Sequence, residues 1–285
     1  MKIRLDCIVC FMRQALKASR LSTSDKKIQE KVLRSVMEEL LKLDWSSTPP
    51  ELAHRVHSVV KQVTGVKDPY REVKRMSNDY ALKLLPRLKK IIEESVDPLE
   101  TAARLAIAGN VIDFAVYDDL QVEETMMKVL NQDFAINDYE AFREKTLESK
   151  NLLFFADNAG EIVFDKALIE TMIEARSKPY DRITYVVKGR PILNDATLED
   201  VEYVNLTSLS NISFETILSE ENVDYDKSIV EEWFRKHDFV IAKGQGNYER
   251  FSDHSNIFFL LLVKCPVIAG DLRVSIGDIV LKYNG

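Results

Sequence analysis

The sequence predicts an α/β protein: an N-terminal all-α helical bundle over residues 1–147, packed on a C-terminal three-layer α/β/α Rossmann-like domain with a mainly parallel sheet over residues 148–285. Three observations predict it. Apolar residues in the first half recur at three- and four-residue spacing between helix caps. From Asn151 the pattern changes to short apolar runs separated by helical stretches, as in parallel strands joined by crossovers. Several of those runs end in Asp, Asn, Lys and Gly, residue types that an open α/β sheet gathers at the carboxyl ends of its strands.

The first helix is expected over residues 7–21. Ser24 or Asp25 can cap a second, with Ile28, Val32, Leu33, Val36, Leu40 and Leu41 on one stripe. Thr48 and the pair Pro49-Pro50 start a third, which Gly65 ends. Asp68-Pro69 opens a long helical pattern to about residue 94, which Pro86 is expected to kink or break. Asp97-Pro98 starts a helix running to about Asn110, and two shorter helices follow near residues 123–131 and 138–147. Strands are expected at residues 152–156, 183–188, 202–206, 239–242 and 266–269. The run 257–263 fits either a strand or a buried helix, because periodicity cannot separate the two in so short an apolar stretch.

With 46% hydrophobic and 30% charged residues, the 285-residue chain can bury a sizeable core. Its net charge of −7 argues against nucleic acid as a partner. Small anions remain open as ligands, since a local basic pocket or a bound metal can override the global sign. Residues 1–7 carry charges and no apolar core, so no secretory leader is expected, and no run is long enough to cross a membrane. The expected location is cytoplasmic. Three cysteines, Cys7, Cys10 and Cys265, cannot make a disulfide framework, and the oligomeric state is left open.

Three strand ends stand out. After the first come Asp157-Asn158-Ala159-Gly160-Glu161; after the second, Lys188-Gly189-Arg190-Pro191 and then Asn194-Asp195; after residue 242, Lys243-Gly244-Gln245-Gly246-Asn247. Each alone reads more readily as a turn or helix cap than as part of a site. Together on one sheet edge they read as a site. Asp157, Asn158 and Asp195 form a hard oxygen set that suits Mg²⁺, Mn²⁺ or a similar divalent ion. Lys243, with the backbone of Gly244 to Asn247, is expected to hold phosphate oxygens. Asn110 and Asp113 share a helical face and are expected to point into the same cleft, although Gly109-Asn110 also fits a helix end. Asp113 or Glu161 is the candidate to orient or deprotonate a water, with Asp157 and Asp195 anchoring the ion. The pair Cys7-x-x-Cys10 is expected to be two buried or partly buried thiols, with a metal or redox role as the alternative.

These motifs, with Ala108-Gly109-Asn110-Val111-Ile112-Asp113 and Lys264-Cys265-Pro266, resemble those of the metal-dependent damage-control phosphatase family, long catalogued as domain of unknown function 89. The Cys7-x-x-Cys10 pair is similar to that of its short prokaryotic branch. The resemblance spans residues 108 to 266, and the helical first half fits the family's all-α front. It implies a divalent metal (Mn, Ni, Co or Mg) held at Asp157, Asn158 and Asp195. It also implies hydrolysis of phosphate monoesters such as sugar phosphates or phosphopantetheine-type metabolites. An S-adenosylmethionine-dependent methyltransferase and a non-catalytic metal- or ligand-binding protein are the alternatives. The first turn lacks a glycine-rich cofactor loop, and no D-x-D follows the first strand, which weighs against an aspartyl-phosphate route.

Overall fold

The computed structural model describes residues 1–114, 119–217 and 226–285, with the side chains of 112–114 and 119–123 outside that description. Three helices open the chain: α1 (Leu5–Ser22), α2 (Lys26–Leu41) and α3 (Pro49–Thr64). They pack on one another through Phe11, Val32, Val36, Leu52, Val56 and Val60; Val32 and Val36 belong to the stripe expected on α2, whereas Leu41 of that stripe is 87% exposed. Their ends follow from side-chain chemistry. Asp25 accepts the Lys27 N–H, Thr48 and Glu51 make a reciprocal capping box, and Gly65 closes α3 at φ +74°. α4 (Arg71–Glu93) continues through Pro86 without a break. α5 (Pro98–Ala108) starts at the Asp97 cap and passes into a 3-10 turn, Gly109–Phe114.

The rest is α6 (Asp119–Asn131), β1 (Phe134–Asn137), α7 (Tyr139–Glu148), β2 (Asn151–Phe155), α8 (Glu161–Arg176), β3 (Arg182–Lys188), α9 (Leu198–Tyr203), β4 (Ile212–Ile217), α10 (Lys227–Lys236), β5 (Phe239–Lys243), α11 (Gly244–Phe251), β6 (Ile257–Leu262), α12 (Pro266–Leu272) and β7 (Ile279–Asn284). Among the described residues the strands form one seven-stranded sheet in the order β1-β7-β6-β5-β2-β3-β4. All neighbouring pairs are parallel except β6 with β7. Alternate residues of the central strands go to opposite faces. Leu152, Phe154 and Ile241 join one core, while Leu153, Phe155 and Val240 join the other. Burial on both faces explains why these strands read as unbroken apolar runs. No described helix is long and apolar enough to cross a membrane.

Several elements differ from expectation. Residues 202–206 finish α9 and lead into a 3-10 turn at Leu206–Ser208, because Thr197 and Asp200 cap a helix there. The strand lies later, at β4, where half-buried Ile212, Phe214 and Thr216 alternate with exposed neighbours at the sheet edge. Residues 266–269 open helix α12 with Pro266 in its first turn, where the missing N–H costs nothing. The ambiguous run at 257 is strand β6, and β1 and β7 had no expectation at all. β1 brings sheet into the segment read as all helix. α4 and α5 are not part of a separate bundle either. Leu88, Ala103 and Ile107 share one core with Phe164 of α8 and the sheet face.

Candidate active site at the sheet's switch point

From β2 the chain moves outward to β3 and β4, then returns to place β5 on the other side of β2. The crevice beyond the carboxyl ends of β2 and β5 is therefore a topological switch point, where open α/β sheets bind ligands. Asp157 and Asn158 follow β2 and Lys243-Gly244 close β5. The segment after β3 folds back across this edge. Ala196 N–H donates to the Asp157 carbonyl and Ala159 N–H to the Asn194 carbonyl, each at 2.9 Å. Asn158 and Asp195 thereby pair as an isolated antiparallel bridge, which brings three predicted ligands together from two strand ends.

A cleft of about 610 Å³ opens over this edge. Asp157, Asn158, Asp195 and Asn110 line it, together with the cations Lys188 and Arg250. Asn110 reaches in from the 3-10 turn. Its Nδ2 donates to Asp157 Oδ2 at 2.9 Å and to Glu161 Oε2 at 2.8 Å. Asn158 Nδ2 donates to the same two oxygens, at 2.8 and 3.2 Å. An amide whose NH₂ is committed to two carboxylates directs its carbonyl oxygen away from them. Burial pushes the Asp195 carboxyl above its ordinary range, against the opposing pull of Lys188, Arg250 and His54. Lys188 Nζ stands 3.6 Å from Asp195 Oδ2.

Gly244 sets how closely β5 approaches this group. Its φ is +76°, and a Cβ there would fall 1.9 Å from Asp157 Oδ2. Gly244→Ala is expected to lower stability by about 3 kcal/mol, combining left-handed strain with displacement of Asp157. A urea midpoint equal to wild type would show that the carboxylate moves aside freely.

Four expected site residues take other roles. Lys243 does not face the cleft. It is 0% exposed, and its ammonium donates to Glu161 Oε1 at 2.6 Å, Asp165 Oδ1 at 2.8 Å and the Ala106 carbonyl at 2.8 Å. All three of its donors are thus used inside the protein. Glu161, at 1% exposure, is likewise enclosed by Lys243, Asn110 and Asn158, so it holds the Asn-Asp cluster rather than presenting a base. Asn247 is turned inward: its Nδ2 donates to the Ala156 and Lys243 carbonyls at 2.9 and 2.8 Å, tying α11 to the end of β2. Gly244 serves Asp157, not an open anion loop. The side chain of Asp113 lies outside the described residues.

Other residues at the cleft were missed from sequence. Lys188 and Lys264 lie within the motifs at the strand ends and at Lys264-Cys265-Pro266, and Arg13 on α1 has no motif around it. Asp165 completes the Lys243 cluster and takes the Tyr185 hydroxyl at 2.8 Å; its only sequence signal was the spacing from Glu161 to Asp165 on α8. Burial pulls Lys243 down, but Asp165 and Glu161 outweigh it and hold its ammonium above the ordinary lysine range. One ammonium between two carboxylates leaves an unbalanced negative charge. Burial, opposed by Lys243, accordingly raises Asp165 to about 6. The thiols of Cys7, Cys10 and Cys265 line the cleft mouth, the first buried and the second exposed. Among the described residues no three His, Cys, Asp or Glu side chains are grouped to hold a metal. The oxygen set over the sheet edge instead combines two carboxylates with an amide, a set that fits a hard ion retaining waters.

The damage-control phosphatase ARMT1-like domain model matches residues 3–280. A damage-control phosphatase of Archaeoglobus fulgidus is 35% identical, with 99% of each chain aligned. One from Pyrococcus horikoshii is 32% identical, covering 100% of this chain and 99% of its own. The crystal structure of a domain of unknown function 89 family protein from Pyrococcus horikoshii superposes with a TM-score of 0.87 at 31% identity, covering 100% of both chains. A match of this extent in both sequence and fold leaves one assignment: the chain belongs to the damage-control phosphatase ARMT1-like family.

Proposed function

We propose that the protein is a metal-dependent phosphohydrolase acting on small phosphorylated metabolites, sugar phosphates or phosphopantetheine-like monoesters among them. The observation that carries the reading is the meeting of Asp157, Asn158 and Asp195 in one cleft with Lys188 and Arg250. Hard oxygen donors beside cations would suit a divalent ion together with a phosphate group. The relatives named damage-control phosphatases support the reaction class.

Asp157, Asn158 and Asp195 would hold Mn²⁺, Ni²⁺, Co²⁺ or Mg²⁺. When bound, such an ion polarises a phosphoryl oxygen and lowers the pKa of a coordinated water. A divalent ion would also add counter-charge beside Asp195, whose carboxyl burial pushes above its ordinary range against the pull of Lys188. Lys188 and Arg250 take over the phosphate-neutralising role expected of Lys243. Asn110 and Asn158 keep the Asp157 carboxylate oriented through two N–H donors on Oδ2. The buried Glu161–Lys243–Asp165 cluster supports both amides from beneath.

Purified protein stripped with a chelator is expected to release p-nitrophenol from p-nitrophenyl phosphate only after Mn²⁺, Co²⁺, Ni²⁺ or Mg²⁺ is restored. Undiminished turnover in excess chelator would sink the proposal. A panel of sugar phosphates and phosphopantetheine, assayed by phosphate release, then identifies the substrate class.

A further inference from the structure

A second cavity, of about 290 Å³, lies between α3 and the segment that follows β3. It shares one lining residue, Ile192, with the cleft. His54, His57, Ser58 and Lys61 contribute from α3 at spacings of three, four and seven, and therefore from one helical face. Lys67 and Arg190 contribute from the loops on either side. Among the described residues no carboxylate lines this cavity, in a chain whose net charge is −7. The nearest acid in sequence, Asp68, is 3.4 Å from Lys74.

The cations stand close to one another, with Asp68 acting on Lys61 from outside the lining. Burial pulls the Lys61 ammonium below its ordinary range; Asp68 opposes this, while Arg190 and Lys74 add to it. Lys61 Nζ donates to the Pro191 carbonyl, which fixes the ammonium beside Arg190. His57 is 3% exposed, and its Nε2 has no hydrogen-bond partner among the described residues. Burial, reinforced by Lys61 and His54, keeps its ring neutral down to about 3. The carbonyls ending α3 carry only a fractional negative charge, which Lys61 in its last turn offsets. What remains is a positive field with several N–H donors, open to solvent at Lys67 and Arg190 and of a size that admits one tetrahedral oxyanion and a small attached group.

We propose that this cavity is an anion site, separate from the catalytic cleft, that binds a doubly charged phosphate group, either the free ion or the terminal phosphate of a small metabolite. It lies behind the segment that presents Asp195, so its occupant would brace the backbone of residues 190–192 through Arg190. The proposal does not depend on the phosphatase reading.

Only four histidines occur in the chain, and two of them line this cavity, so imidazole NMR signals report on it locally. Inorganic phosphate, titrated at constant ionic strength against chloride, is expected to shift the His57 signals saturably while those of His237 and His254 stay in place. Lys67→Gln/Arg190→Gln, two exposed positions whose loss leaves the core intact, is expected to weaken that binding about tenfold or more. Methylphosphonate as a second probe separates the sources. A response to phosphate alone assigns the free ion, and a response to both assigns a terminal phosphate group. An unmoved His57, or equal affinity in the double variant, overturns the proposal.

Discussion

Asp157→Ala is expected to reduce metal-supported hydrolysis of p-nitrophenyl phosphate by on the order of a thousandfold while leaving the fold intact. Asp157 joins the sheet edge to the oxygen set. Its carbonyl takes the Ala196 N–H, and its Oδ2 collects Nδ2 donors from Asn110 and Asn158. Removing the carboxylate leaves those backbone bonds in place and takes away one of two anionic donors for the ion. The several kcal/mol that a metal supplies to a phosphoryl transition state are then largely lost, and about 4 kcal/mol corresponds to that factor. Steady-state kinetics over a metal titration check this. Wild-type turnover in the variant would show that the ion sits elsewhere. Asp195→Ala is expected to act in the same direction, because Asp195 belongs to the same bridge.

Lys243→Met is expected to destabilise the protein by about 3–5 kcal/mol near neutral pH, the usual cost of stranding buried charges. The ammonium is enclosed by Glu161, Asp165 and the Ala106 carbonyl, and methionine satisfies none of them. The penalty should shrink as pH falls, because protonation relieves the abandoned carboxylates. In the wild type Asp165 already points this way. Its folded value of about 6 lies above the ordinary 3.8. Its contribution to stability is therefore fully present below 3.8 and is lost as pH rises through 6. Urea unfolding of wild type and Lys243→Met between pH 5 and 8 measures both effects. A pH-independent difference, or one below about 1 kcal/mol, would show that the cluster is not a closed ion network. Asp165→Asn in the Lys243→Met background should recover part of the loss, since one stranded charge is gone.

How the helical and central strand elements read from sequence depended on how self-contained their signals are. α2, α3 and α5 announce themselves by local caps at Asp25, Thr48 and Asp97, and by apolar stripes that need no knowledge of the partner. β2, β3 and β5 are legible because strands buried on both faces become continuous apolar runs. β1, β4 and β7 lie toward the sheet margins and carry mixed polarity, so tertiary pairing, not local pattern, made them strands. The helix at Pro266 was misread as a strand because the run after it is short and apolar. The proline itself was the better signal.

By itself the sequence determined the α/β class, the family resemblance, and the three strand ends that meet at one edge, because residue type and spacing decide those. Only the tertiary structure decided which polar groups face the cleft. Lys243 and Asn247 look like phosphate ligands in a glycine-bearing loop, yet both are consumed inside, because burial obliges every donor to find an acceptor. Lys188, itself buried, and Arg250 line the cleft instead; Lys188 closes β3 within a strand-end motif, but nothing along the chain marks Arg250. Asp195 meets Asn158 through backbone bonds across thirty-odd residues of chain, a pairing that no local pattern encodes.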